Sequence, residues 1–348
     1  MATINQIRGM LLEEAILFLL RQSGYITIES ADDDVTLQMG SAGMEVKGRG
    51  GVHQIDAIAD FVVNPPFSFP LRLLLEAKFH KSKPTGIGVI RNAVGVQRDV
   101  EEFWVTLGED ISGKRRFHYQ YAVFSSTGYS VFAERFAFAH DIYLLPLQDS
   151  RFIQPIIGAI SKIGYEILGA TSANKVQINM YQTRIAVRNA LLAKKFYFLE
   201  GFENQPELRP FGDFLDKCIK INAAVIGMIQ RELPVFLVPS PETIIHELKN
   251  YYKVRIHYDN EGWWTMTDGE GVAFSFDLPG KIFNLYNKSG YLSPKRKLML
   301  NEGELSFIQV VIVSPEDLST KVITFELSPD WIDSVEQGLS TRAIKKQQ

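Results

Sequence analysis

The hydrophobic positions of the first 150 residues switch between a helical and a strand period. Ile4, Ile7, Leu11, Leu12, Ile16, Leu19 and Leu20 recur at helical spacing and Gly24 follows as a stop signal, which predicts an amphipathic helix over 4–22. A short strand is predicted over 25–29 and a turn over 32–34. Five glycines within 40–51 mark turns rather than core. Two strands are predicted over 54–63 and 71–79, joined by NPPFSFP, whose prolines cannot continue a ladder. Helical spacing returns over 87–107 through Ile90, Val94, Val100 and Phe103, weakened by Gly95. A strand at 119–124, a turn at SSTGY, a helix over 130–139 and a strand over 142–146 complete the region. The order α, β, β, β, α, β, α, β predicts a mixed α/β domain with helices flanking a central sheet.

The pattern then changes. Residues 151–235 read as mostly helical, with helices predicted over 176–192 and 211–232. Beyond 235 strand signals dominate (VFLV, KVRIHY, GVAFSF, SFIQVVIV and KVITFEL), interrupted by one predicted helix over 242–252. The expected division is a first domain of 1–150 and a second of 151–348, helical over 151–235 and β-rich over 236–348, with a softer boundary near 235.

Composition narrows the class. A chain of 348 residues has room for two domains at about 100–200 residues each. No apolar run approaches the roughly 18 residues of a membrane span. The N-terminus MATINQIRGMLLEE carries no secretory pattern. Cys218 is the one cysteine, which excludes an intrachain disulfide and a cysteine-based zinc site. A reduced, cytoplasmic protein is expected. Net charge is -3; residues 1–150 hold 14 Lys and Arg against 18 Asp and Glu, and the remainder 23 against 22. Neither half is broadly basic, so a nucleic-acid partner has to be argued from local sites. The sequence contains no GxxxxGK[ST], HExxH or GxSxG pattern, so no ATPase activity of its own is expected, and His80, His118, His140, His246 and His257 lack metal-ligand spacing.

The chemistry is concentrated in GRGGVHQIDAIADF (48–61) and LRLLLEAKFHK (71–81). On a strand, Glu76 and Lys78 share a face while Leu75, Ala77 and Phe79 take the other. Charges on so apolar a strand are costly to bury without partners. Asp56 begins the preceding strand, so pairing of the two strands brings it beside Glu76. Two carboxylates supply hard oxygen ligands for Mg²⁺, with Mn²⁺ a substitute, and the Lys78 ammonium can hold a nucleophilic water and stabilise developing negative charge. A partly buried ion-pair cluster that stabilises the sheet is the competing reading.

At these residues the chain resembles the PD-(D/E)xK nuclease superfamily, and within it the Mrr-like restriction endonucleases. Ile55-Asp56 and Glu76-Ala77-Lys78 match the motif, with Ile55 in place of the proline and Glu76 where many Mrr-type members carry Gln. GMLLEEAILFLLRQSGY (9–25) is similar to the family's first helix and puts Glu13 at its carboxylate. YAVFSSTGYSVFAERFAFAHDIYLLPL (121–147) is similar to the strand, turn, helix and strand that follow the site. The resemblance covers residues 5–147. It implies a restriction-endonuclease-like mixed sheet flanked by helices and a Mg²⁺-dependent DNA endonuclease leaving a 5′-phosphate. Asp56 and Glu76 would bind metal, Lys78 would position water, and Glu13 would support a second metal or orient Lys78. A bacterial restriction or anti-phage role fits it. The alternatives are a non-catalytic nucleic-acid-binding or assembly protein, and a nuclease subunit activated by a separate ATPase or translocase. A homodimer would suit double-strand cleavage.

Weaker candidates surround this core. Gln97, Arg98, Lys81 and Ser126 are candidate DNA-backbone contacts, against the plainer readings of a solvated helix face, edge-strand charge and helix capping. His53 is a candidate helper at metal or phosphate, against a local turn histidine. In the second half, Arg184, Arg188, Lys194 and Lys195 near Phe196 and Tyr197, and Lys295–Lys297, are candidate phosphate contacts or solvated charges. Trp263 and Trp264, if in a strand, point one inward and one outward.

Overall fold

The computed structural model describes residues 2–32, 34–41, 43–64, 66–103, 117–148, 150–164, 168, 178–193, 208–221, 224–230, 233–258, 264–277, 306–313 and 319–329. The chain forms two compact units, Met1–Asn222 and Ala223–Gln348. The first unit is mixed α/β. Its central sheet runs in the order β1 (Tyr25–Thr27), β5 (Ala57–Phe61), β6 (Leu71–Lys78), β7 (His118–Ser125), β8 (Ile142–Pro146). β1, β5 and β6 pair antiparallel; β6, β7 and β8 run parallel. The two parallel steps are made by α2 (Ile87–Glu101) and α3 (Val131–Ala139), the crossover that a parallel connection requires. Leu74, Tyr119, Tyr121 and Val123 of the sheet join Ile90, Ala93, Val96 and Val100 of α2 in one apolar cluster.

The first predicted helix is α1 (Ile4–Gln22), begun by a Thr3–Gln6 capping box and followed by Gly24 at φ 83°, a conformation that suits glycine. It is more buried than an amphipathic surface helix, with Met10, Ala15, Leu17 and Phe18 enclosed as well as the periodic set. The cause is tertiary. α1 lies against β1, β5 and β6 and is also packed by α4 (Gln154–Lys162) and α5 (Met180–Ala193), while α6 (Gly212–Lys220) packs on α4 and α5.

Those helices move the boundary. The division expected near 150 is corrected to a division after Asn222, because α4 and α5 pack on α1 and α6 packs on α4 and α5, so that all three belong to the first unit. The glycine-rich stretch also holds more order than expected. β2 (Leu37–Met39), β3 (Met44–Lys47) and β4 (Val52–Gln54) form a separate antiparallel sheet, and the predicted 54–63 strand breaks at Ile55–Asp56 between β4 and β5.

The second unit is a closed barrel in the order β10-β13-β12-β11-β15-β14-β9, built from β9 (Val225–Ile229), β10 (Leu233–Pro239), β11 (Tyr251–Tyr258), β12 (Trp264–Thr267), β13 (Ala273–Phe276), β14 (Phe307–Val313) and β15 (Thr320–Leu327). Closure removes free sheet edges. Alternate residues such as Val254 and Ile256, Phe274 and Phe276, and Ile323 and Phe325 fill the interior. At Gly227 an added Cβ would come within 2.8 Å of Leu237 and 3.2 Å of the Gln309 carbonyl, so the close approach of β9 to its neighbours needs glycine. Trp264 packs against the barrel core; Trp263 lies outside the described residues.

Two helix predictions are corrected here. The helix expected over 211–232 ends at Lys220, and Val225–Ile229 is strand, because a short apolar run has no period that separates helix from strand. Of the helix expected over 242–252 only a 3₁₀ turn at Ile245–Glu247 forms, since Tyr251 and Tyr252 are drawn into parallel pairing with Thr324 and Phe325.

β6 also carries a buried cation. Arg72, 0% exposed, donates to Asp60 at 2.7 and 2.8 Å, to Asp34 at 2.8 Å and to Thr36 at 2.9 Å, and its guanidinium stacks 3.7 Å from the Phe117 ring centroid. The network ties the 34–36 turn to the central sheet. Arg72→Ala would leave two partly buried carboxylates uncompensated, so a loss of about 3–5 kcal/mol in urea-unfolding stability is expected; a loss below about 1 kcal/mol would show that the network is structurally idle.

Candidate active site

Three elements converge at the C-terminal end of β6. Strand alternation puts Glu76 and Lys78 on one face, and the β5–β6 register (Ala57 opposite Leu75) brings Asp56 beside Glu76. Asp56 stands at the break before β5, where its Oδ2 accepts from the Ala77 backbone N–H at 2.8 Å. The Lys78 Nζ lies 2.5 Å from Glu76 Oε1, and the Tyr121 hydroxyl donates to Glu76 Oε2 at 2.8 Å. From α1, Glu13 is held by Arg184 of α5 at 2.5 Å, and its charge acts on Lys78 as that of Asp56 acts on Glu13.

Electrostatics confirm that these groups share one environment. Burial pushes the Glu13 carboxyl up from 4.5 to about 7; Arg184 opposes the shift and the Asp56 charge adds to it. Burial also raises the Asp56 carboxyl, with the Ala77 N–H and Lys78 opposing and the Glu76 charge adding. For Lys78, burial works against the ammonium, but its bond to Glu76 and the charges of Glu76, Asp56 and Glu13 outweigh it, so its pKa is raised and it is a cation at neutral pH. Burial and the Glu76 carboxylate push the Tyr121 phenol up, keeping it a proton donor.

Neighbouring Glu14 explains how Arg184 arrives. Its side chain is 0% exposed and accepts two hydrogen bonds from Arg188, at 2.8 and 2.6 Å, a bidentate pair that docks α5 on α1. One helical turn earlier on α5, Arg184 reaches Glu13, so the two adjacent glutamates receive adjacent arginines. Arg188, a candidate phosphate contact in the sequence, is therefore committed to Glu14 and also pairs with Glu29 at 3.3 Å.

Can this set hold a divalent cation? Two of its carboxyls have raised pKa values, chiefly because they are buried, with the charge of a neighbouring acid adding to each shift. Asp56 Oδ1 receives no hydrogen bond among the described residues. The described residues contain no group of three His, Cys, Asp or Glu arranged as metal ligands. Mg²⁺ commonly takes one or two carboxylates and keeps water for the rest, so Asp56 and Glu76 fit it, provided Glu76 exchanges its Lys78 contact.

The weaker candidates separate. Gln97 is buried between α2 and β7 and donates to the Tyr119 carbonyl at 2.9 Å, which corrects its reading as a DNA contact: the side chain completes the backbone hydrogen bonding of β7. Ser126 is likewise corrected. It is 4% exposed and its hydroxyl bridges the N–H and carbonyl of His80, tying β7 to the exit of β6. Arg98 is exposed and pairs with Glu101 at 3.0 Å, and Lys81 is exposed beyond β6. His53 sits on β4 and meets Asp99 of α2 at 2.6 Å, pinning the 48–51 hairpin with Gly50 N–H rather than joining the cluster. Lys194, Lys195, Phe196, Tyr197 and Lys295–Lys297 lie outside the described residues. Arg184 as a member of the cluster and Tyr121 as the support of Glu76 were not legible. Strand alternation marks a face for Tyr121, but its partner follows from the register, which pairs Leu74 with Tyr121.

No family model matches the chain, and no curated protein matches it. Among solved structures it is similar to a protein of unknown function, AF1548, over 55% of this chain and 98% of that one, at 16% identity and a TM-score of 0.28, too low to carry an argument.

A raised acid pKa is a stability statement. The contribution of Glu13 is fully present below its unfolded value near 4.5 and is lost as pH rises through about 7. Glu13→Gln should therefore melt close to wild type at the acidic end of this window and increasingly above it as pH rises from 4.5 to about 7, the difference levelling off beyond. A melting difference that stays flat across the window would show that Glu13 is not held in this environment.

Proposed function

We propose that the chain is a Mg²⁺-dependent DNA endonuclease of the PD-(D/E)xK type, with an Mrr-like nuclease fold in its first unit. The observation that carries the reading is the convergence of Asp56, Glu76 and Lys78, with Glu13 beside them, at one end of β6. A cluster with excess carboxylate is a poor stabiliser of a sheet, which favours chemistry over a purely structural role. Asp56 and Glu76 would hold the cation. Once bound, Mg²⁺ supplies Lewis acidity, lowering the pKa of water and offsetting phosphate charge.

The remaining work falls to the chain's own groups. Lys78, cationic at neutral pH, donates to the attacking water and to the negative charge that builds on the phosphoryl oxygens. It does not act as a general base, because its bond to Glu76 and the charges of Glu76, Asp56 and Glu13 raise its pKa. Tyr121 holds Glu76 through one oxygen, so that releasing Lys78 from the other does not free the carboxylate to rotate. Water adds to phosphorus and loses its proton to solvent, the bond to the 3′ oxygen breaks, and that oxygen takes a proton from solvent, leaving a 3′-hydroxyl and a 5′-phosphate. The barrel of the second unit would select substrate or recruit a partner, and a reducing cytoplasm suits the single buried thiol of Cys218. A restriction or anti-phage role follows from the same resemblance.

Circular plasmid incubated with Mg²⁺, Mn²⁺ or EDTA tests the reading. Wild type should nick or linearise it only with metal, and Asp56→Ala and Lys78→Ala should each lose at least about 10²-fold in rate. Tyr121→Phe, which removes one hydrogen bond to a charged group, should lose roughly tenfold. A wild type as inactive as the substituted chains would refute catalysis by the chain alone. A binding role, or dependence on a separate ATPase subunit, would then become the better account.

A further inference from the structure

The cluster contains a cation that the nuclease resemblance does not supply. Arg184 belongs to α5, beyond residues 5–147, yet it reaches Glu13 at 2.5 Å and acts on the charge of Asp56. We propose that Arg184 is the phosphate-binding residue of this site: its guanidinium leaves Glu13 to grip the phosphodiester being cleaved. The inference rests on the nuclease reading and adds a substrate contact to it.

Three observations support the exchange. First, α5 has a second anchor on α1 besides Arg184. Arg188 already satisfies Glu14 with two short bonds, whereas Arg184 approaches Glu14 only at 3.9 Å. Second, the Arg184 side chain is 33% exposed, more than the 14% of Arg188, so it can be approached from solvent while its neighbour is enclosed. Third, the charges balance only with its help. With all three carboxyls ionised, Glu13, Asp56 and Glu76 against Lys78 and Arg184 leave one negative charge in excess. One divalent cation would turn this into one positive charge, which a single phosphodiester neutralises. Without Arg184 the same phosphate would enter a neutral site and leave it negative. A planar guanidinium also matches two phosphate oxygens at once, which an ammonium does not.

The test is binding of a short DNA duplex with Ca²⁺ in place of Mg²⁺, so that the carboxylates are occupied by a divalent cation, followed by fluorescence anisotropy over a salt series, alongside melting temperatures and Mg²⁺-dependent plasmid cleavage. Arg184→Gln should bind about tenfold or more weakly, with a salt slope smaller by about one phosphate contact. Arg184→Lys should restore the slope and part of the affinity. Glu13→Gln, which frees the guanidinium, should bind at least as tightly as wild type. If Arg184→Gln keeps wild-type affinity and slope, or if Glu13→Gln weakens binding as much as Arg184→Gln does, the pair is structural and the proposal is overturned, while metal-dependent cleavage by wild type would leave the nuclease reading standing. A wild type that neither binds nor cuts DNA overturns both.

Discussion

A central strand covered on both sides tolerates charge only where countercharge meets it, and β6 carries three charged side chains. Arg72 near its start is enclosed by Asp34, Asp60 and Thr36; Glu76 and Lys78 at its end meet each other, Tyr121 and the neighbouring acids. These two solutions differ in kind. The Arg72 network is fully paired and stacked on Phe117, so it stabilises and has nothing left to offer a ligand. The cluster at the other end holds more carboxylates than cations, and burial raises two of its carboxyls above their ordinary range, the kind of environment in which functional groups are often found.

The same logic extends to the helical layer. Glu14 on a doubly covered helix would be prohibitive alone, and Arg188 answers it with a bidentate pair that seats α5. Because helical neighbours one turn apart share a face, seating Arg188 also delivers Arg184 to Glu13. A structural ion pair and an exchangeable one thus lie side by side, distinguished by burial and by the number of bonds each arginine makes. The division of the chain after Asn222 is a consequence, since α5 completes the first unit rather than beginning a second.

Tyr121 illustrates how the sheet supports its own end. The parallel register of β6 and β7 sets its ring opposite Leu74, and the phenol reaches forward to Glu76. Gln97 and Ser126 sit near the same region but have their hydrogen-bonding capacity absorbed by backbone, Gln97 by Tyr119 and Ser126 by His80. Polar type and proximity in sequence do not distinguish such residues from ligands; only their partners do.

Much of the architecture was legible from local pattern. The periodicity of α1, the apolar run of β6, the α2-β7-α3-β8 succession and the alternating strands of the barrel follow from side-chain spacing, and Asp56, Glu76 and Lys78 stand out because charges are conspicuous on apolar strands. Where pattern failed, the deciding contacts were distant in sequence. Val225–Ile229 and Tyr251–Tyr252 became strand through pairing across the barrel, and β2, β3 and β4 formed from a stretch whose glycines read only as turns. The sequence by itself determined which residues carry the charge and on which local element each one sits. Tertiary structure alone decided that Glu14 would be buried, that Arg188 would answer it, and that Arg184 would therefore meet Glu13, because pairing between residues some 170 positions apart leaves no local period to read.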